Sequence, residues 1–397
     1  MGALIYMDNH ATTPLDPVVL KEMMPYLTSN FANAASITHA LGRQSSQAIE
    51  NARQQVAQLL GTKDTSEIIF TSGSTEGINT VLKGIFEQYQ SKGKHFITCT
   101  TEHKAVLDTF IYLQKKGASI TYLTVDHEGK IDLQQLETSI RPDTVLLTFM
   151  SANNETGVCH PLQEIAEIAQ RHDVLFFCDA TQTVGKEKLD LHHIPIDLLS
   201  LSAHKMYGPK GVGALFIRKK NKRIQLSPLL HGGGQEDGRR AGTLNVPAIV
   251  GLGKAAELCK QAIDEQDSNR LAKLRNRLEE SLLSLPEIYV NGHGAPRLKN
   301  VCNITIRHIR ASTLLTKLQN LCLATGSACV TGNRDPSHVL LAMGLSPEDA
   351  FSTVRISLGR FNTMEDVDHT LNQLISAVNT LRVESPSWQL FQKGLIP

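Results

Sequence analysis

Between about residue 60 and residue 220 the chain repeats one pattern, a short apolar run followed by residues at helical spacing: EIIFTSG, KHFITCT, ASITYLTV, TVLLTFMS, VLFFCDA, DLLSLSAH and GALFIR. Runs such as Val145 to Met150 and Val174 to Cys178 are apolar on both faces. Strands of that kind need cover above and below, which a largely parallel sheet with helices on both sides provides. The pattern therefore predicts an α/β fold.

After Pro247 the pattern changes. Leu271, Leu274, Leu278 and Leu282 fall on one face of a charged helix expected from about Ala262 to Leu285. The segments NVCNITIR and TVRISLGRF and a helical pattern from Asp366 to Leu381 predict a smaller α+β domain. With 397 residues two domains are expected, a large one over 15–258 and a small one over 1–14 and 259–397. The glycine-rich stretch from Leu229 to Gly242 is read as a loop. A formal net charge of +1 gives no field that favours nucleic acid or an anionic membrane, so a small-molecule partner is expected. No apolar run reaches the roughly 20 residues of a membrane span, and MGALIYMDNH has no basic segment followed by an apolar one, so the chain is read as cytoplasmic. Seven scattered cysteines without a CxxC pair fit reduced thiols.

Reactive residue types stand at the ends of the expected strands, where open α/β sheets bind ligands. One strand ends at Ser202, His204 and Lys205 before a break at Gly208-Pro209. A lysine there, desolvated and near other cations, can lose its proton and form an imine with an aldehyde cofactor. A second strand delivers Asp179, with Gln182 shortly after. That carboxylate is suited either to a pyridine nitrogen or to capping a helix. A third leads into Thr71-Ser-Gly-Ser-Thr-Glu-Gly, which reads as a phosphate cup at a helix start or as a capping box on Ser72 or Ser74. A fourth places His103 just beyond a strand end, where an imidazole can stack and move protons near neutral pH.

Taken in order, MDNHATTP, NAASITHALGR, TSGSTEG, TEHKAVLDT, ANNETGV, CDATQTVGK, SAHKMYGPKGVGAL, HGGGQEDGRRAGTLN, GSAC and RISLGRF resemble the class V aminotransferases of fold-type I, most closely the cysteine desulfurases of the NifS/IscS branch. The resemblance covers nearly the whole chain. It implies a mainly parallel seven-stranded sheet, pyridoxal 5'-phosphate on Lys205, Asp179 on the pyridine nitrogen, Gln182 on the ring hydroxyl and His103 stacked on the ring. Ser74, Thr75, Ser202 and His204 would hold the phosphate, with Thr243 reaching in from a second subunit of a homodimer. Asn154 and Arg355 would bind the carboxylate of L-cysteine, and Cys329, in the small-residue segment GSACVTG, would take its sulfur as a persulfide. The persulfide would pass to sulfur-acceptor or scaffold proteins, for iron–sulfur cluster assembly, tRNA thiolation or DNA phosphorothioation. No intrinsic metal site is expected, because His192-His193 and the dispersed cysteines lack ligand spacing; Cys329 is the one expected transient ligand, for an acceptor's cluster. The chain closes on SPSWQLFQKGLIP without the further tail by which housekeeping members dock a scaffold, which leaves the acceptor open. The alternatives are a selenocysteine lyase or another class V enzyme and, from a different class, a catalytically silent sulfur-relay scaffold.

Overall fold

The computed structural model describes residues 4–219, 224–325 and 335–396; Cys329 lies outside them. The short strand β1 (Ile5–Tyr6) opens the chain. The large sheet follows as β2 (Ile68–Thr71), β3 (His95–Cys99), β4 (Ser119–Leu123), β5 (Thr144–Met150), β6 (Leu175–Asp179), β7 (Leu198–Ser202) and β8 (Gly213–Ile217). Their spatial order is β2-β8-β7-β6-β5-β3-β4, and β8 alone runs against the other six. All seven expected runs are strands of this one sheet. Side-chain alternation explains why they can be apolar throughout. Ile97, Leu147, Phe176 and Leu199 enter the core on one face, while their neighbours Phe96, Leu146, Phe177 and Leu198 enter the core on the other. A residue period of two thus fills two cores from one strand.

The remaining strands are β9 (Ile288–Val290), β10 (Val301–Ile306), β11 (Leu321–Cys322), β12 (Ala324–Thr325) and β13 (Thr353–Ser357). A four-stranded sheet of order β12-β13-β10-β9 packs with helices around a third core. That core includes Leu271, Leu274, Leu278, Leu282 and, from the chain start, Met7. The long helix expected from Ala262 is instead two. Val246–Asp264 ends at Glu265, Gln266 turns left-handed at φ 60°, and Asp267–Leu283 begins. A non-glycine residue in that region stops a helix, a break that the apolar spacing of the leucines does not reveal. The last long helix runs Met364–Glu384, three residues longer at its end than expected, behind a capping box of Thr363 and Asp366.

The glycine-rich loop is pinned to the large sheet. Glu236 accepts two bonds from Arg53 at 2.8 Å each and one from the Phe70 amide at 2.8 Å. Among the described residues no helix is long and apolar enough to cross a membrane, and the six described cysteines are all free thiols.

Candidate active site

A cavity of about 480 Å³ lies at the carboxyl ends of the central strands, within the size range of small-molecule sites. Ser74, Thr75, His103, Asn154, Asp179, Gln182, Ser202, His204 and Lys205 all line it. The chain brings them together because β5, β6 and β7 are neighbours in register and each ends in a turn that carries a polar residue.

Lys205 closes a single 3-10 turn after β7. Its Nζ donates to the carbonyls of His10 and of Ala11, the latter at 2.8 Å. The same N-terminal stretch is stitched to the lysine turn by Thr13, whose amide donates to the His204 carbonyl at 2.8 Å and whose Oγ1 accepts from the Tyr207 amide at 2.7 Å. Tyr207 sits at φ 66°, a costly backbone for a bulky residue. Arg360 holds it there, with its guanidinium 4.0 Å from the ring centroid and its amide donating to the Tyr207 hydroxyl at 2.6 Å.

Asp179 ends β6, and Thr181 donates to its Oδ1 from both amide and hydroxyl. Thr181 Oγ1 in turn accepts from the Ser74 hydroxyl at 2.7 Å, joining the aspartate turn to the helix Ser74–Gln88. That helix has Gly73 as its N-cap and no side-chain cap, so neither Ser72 nor Ser74 forms the capping box. Gly73, at φ 151°, allows the backbone to turn sharply into the helix, and its first amides remain for an anion. Glu76 reaches back to the Ser72 amide at 2.7 Å and takes Arg240 at 2.9 and 3.2 Å. Burial works against its ionisation, yet the bonds from Arg240 and Ser72 hold its carboxyl below the usual range. The glycine-rich loop thereby supplies a counter-ion to the cup.

His103 caps the helix Lys104–Gln114, its Nδ1 accepting from the Ala105 amide at 3.1 Å, so the neutral ring carries its proton on Nε2. His204, pushed down to about 4 by burial and then by Lys205 and Lys210, is neutral at pH 7. Beneath His103 a buried trio, Cys99, Glu102 and His160, brings ligand-type atoms within 4.8 Å of one another. Burial pushes the Glu102 carboxyl well above the usual carboxylate range, and its Oε1 is already committed to the Met150 amide at 2.6 Å.

Two expected residues stand elsewhere. Arg355 is fully buried and does not line the cavity; it donates to Asp8 at 2.7 Å and to the Asn154 carbonyl at 2.9 Å. Its Nε has no partner among the described residues. Thr243 is exposed and outside the cavity. Sequence reasoning gave no role to the His10 and Ala11 carbonyls, Thr181, Lys186, Lys210 or Glu76. MDNHATTP was a visible motif, but nothing local tied it to Lys205.

Glu155, beside Asn154, accepts from Ser337, the residue that opens the helix His338–Ala342. Burial raises Glu155 to about 7, against the Ser337 bond and the charge of Arg355. The folded state then holds the proton more tightly than the unfolded chain. Stability is full below the ordinary value of 4.5 and falls as pH rises through about 7. Glu155→Gln should flatten this fall, making the variant relatively more stable by up to about 3 kcal/mol at pH 8 than at pH 4. Urea unfolding at both pH values checks it, and an unchanged pH slope would refute it.

An amine, a carboxylate and an uncapped helix start on one edge of an α/β sheet define a group-transfer enzyme of the aminotransferase type. The chain matches the family Aminotransferase class-V over residues 5–370. Cysteine desulfurase IscS of Anaeromyxobacter sp. (strain Fw109-5) is 46% identical over 392 residues, 98% of this chain and 96% of that protein. Among solved structures, a NifS-like protein superposes with a TM-score of 0.87 at 37% identity, covering 95% of this chain and 100% of its own. The structure titled SspA in complex with cysteine gives a TM-score of 0.79 at 37% identity, over 90% and 100%. This chain belongs to the class-V aminotransferase family and, within it, to the cysteine desulfurases of the NifS/IscS branch.

Proposed function

We propose that this chain is a pyridoxal 5'-phosphate-dependent cysteine desulfurase that converts L-cysteine to L-alanine and leaves the sulfur as a persulfide on Cys329. The observation that carries this reading is the shared cavity of Lys205, Asp179 and the uncapped start of the helix Ser74–Gln88. These donors fit the cofactor: an amine for its aldehyde, a carboxylate for its ring nitrogen and free amides for its phosphate. When bound, the cofactor supplies an electron-withdrawing ring to the substrate's α-carbon.

The chain's own residues do the rest. Asp179 holds a proton on the ring nitrogen. Ser74, Thr75, Ser202 and His204 hold the phosphate, and Thr243, exposed on one subunit, reaches the phosphate of its partner. Lys205 moves the proton at the substrate α-carbon, and the His103 ring packs over the site and passes protons through Nε2. Asn154 takes the substrate carboxylate from the cavity wall, and Arg355 joins it by exchanging its bond to Asp8 for one to the substrate. Cys329 attacks as the thiolate and takes the substrate sulfur, the carbon–sulfur bond breaks, and L-cysteine plus thiol become L-alanine plus persulfide, atom for atom. L-cysteine is supported as substrate by the similar SspA, whose solved structure is a complex with cysteine. A homodimer is supported by Val18, Leu20, Met24, Leu27, Phe31 and Ile37, exposed apolar residues of the helix Pro17–Thr28 and the segment after it. A division into two domains is supported by separate cores, although the helix Val246–Asp264 carries Cys259 into the large core, beyond the expected boundary at 258/259. Sulfur delivery to acceptor or scaffold proteins in the cytoplasm, with Cys329 as a transient cluster ligand, completes the reading.

Purified protein should be yellow and, given L-cysteine and reductant, should release alanine and sulfide in equal amounts. A colourless protein that pyridoxal 5'-phosphate cannot reconstitute would overturn the cofactor. A yellow protein inert toward L-cysteine would overturn the substrate.

A further inference from the structure

Behind the cavity wall, in contact with the lining residue Gln182, lies an amine to which the reading above assigns nothing. Lys186 follows the turn of Asp179 and Gln182, and its Nζ donates to the Gln182 carbonyl at 2.9 Å and to Gln182 Oε1 at 2.9 Å. On its other side Gln182 donates from Nε2 to the His10 carbonyl at 3.1 Å. A protonated lysine can only donate and a carbonyl can only accept. Two contacts from different parts of the chain therefore impose one amide orientation, oxygen toward Lys186 and NH2 toward His10. The NH2 group has two hydrogens, and Gln182 lines the cavity, so one N–H serves His10 and the other remains for the occupant. The His10 carbonyl also takes Lys205 Nζ, so the Gln182 amide that Lys186 grips and the Lys205 amine share one acceptor. Burial, then the charge of Lys205, lowers Lys186 to about 7, so its bonds to Gln182 are made by a group desolvated at some cost.

We propose that Lys186 is a positioning residue that locks the Gln182 amide with its N–H toward the cavity, so that the site offers a hydrogen-bond donor to the ring oxygen of the cofactor. This rests on the pyridoxal 5'-phosphate reading. Without Lys186 the amide oxygen loses its partner, the amide can turn over, and an acceptor then faces an acceptor. The lock acts on one cofactor atom, which sets it apart from a general packing role.

The test compares two probes on the full-length, cofactor-stripped protein: pyridoxal 5'-phosphate and its analogue lacking the ring hydroxyl. For Lys186→Met the affinity for pyridoxal 5'-phosphate should fall roughly tenfold, the worth of one well-placed hydrogen bond, while affinity for the analogue stays within twofold of wild type. Lys186→Arg, which still donates, should keep the wild-type preference and serves as the readable variant if the methionine variant does not fold. Equal losses for both probes would show a structural role only, and unchanged preference in Lys186→Met would remove the lock; either overturns the proposal. If wild type binds neither probe, the cofactor reading itself falls, and the proposal with it.

Discussion

Lys205→Ala is expected to end alanine formation from L-cysteine, with a fall on the order of 10³-fold or more, and to remove the covalently held yellow form. The size follows from losing the attachment point and the group that moves the α-proton together, each typically worth two or more orders of magnitude. Lys205→Arg should not restore activity, because a guanidinium stays charged and can neither be attached to an aldehyde nor accept the proton. Lys205→Ala also removes the donor shared by the carbonyls of His10, which keeps Gln182, and of Ala11. A loss of about 1–2 kcal/mol of stability should accompany it. Absorbance spectra, alanine quantified by chromatography and a thermal melt of each variant check the three parts. A Lys205→Ala protein that remains yellow after dialysis and turns over within tenfold of wild type would refute the assignment.

Cys329→Ser should separate the two halves of the chemistry. The protein should stay yellow and should still change its spectrum on adding L-cysteine, since Lys205, Asp179 and Gln182 are untouched. Persulfide, detected by thiol-selective labelling and intact mass, should be absent, and alanine release should fall at least about a hundredfold, because a hydroxyl at neutral pH is a far weaker nucleophile than a thiolate. Normal turnover in this variant would leave fold and cofactor standing and remove Cys329 as the sulfur carrier. Five of the six described cysteines make poor substitutes. Burial raises Cys99, Cys159, Cys178, Cys259 and Cys302 above the ordinary thiol range, which keeps them protonated near neutral pH.

Much of this site was legible before any coordinates. Lys205, Asp179 and His103 each stand one step beyond an apolar run, and strands that are apolar on both faces have one arrangement that covers them. Their convergence on one sheet edge followed from that pattern. Arg355 was not placed by the same logic. It lies inside β13, in another sheet, and whether its guanidinium meets the cavity or Asp8 depends on how the first residues of the chain are threaded. The helix break at Gln266 escaped for a related reason, since the four leucines all lie beyond it in the second helix and no side-chain pattern marks the turn.

The sequence by itself determined the sheet-forming runs, the helices that cover them and the residue types at the strand ends, because these depend on periodicities of two and 3.6 residues within short windows. Only the tertiary structure decided the strand order, the return of residues 8–13 onto the lysine turn, the Glu155–Ser337 contact and the grip of Lys186 on Gln182. The strand order and the first two contacts join groups far apart along the chain. The third looks local, four residues apart, but it takes its meaning from the His10 carbonyl on the far side of the amide. Contacts of that kind are set by how packed layers close over one another, and local spacing carries no record of them.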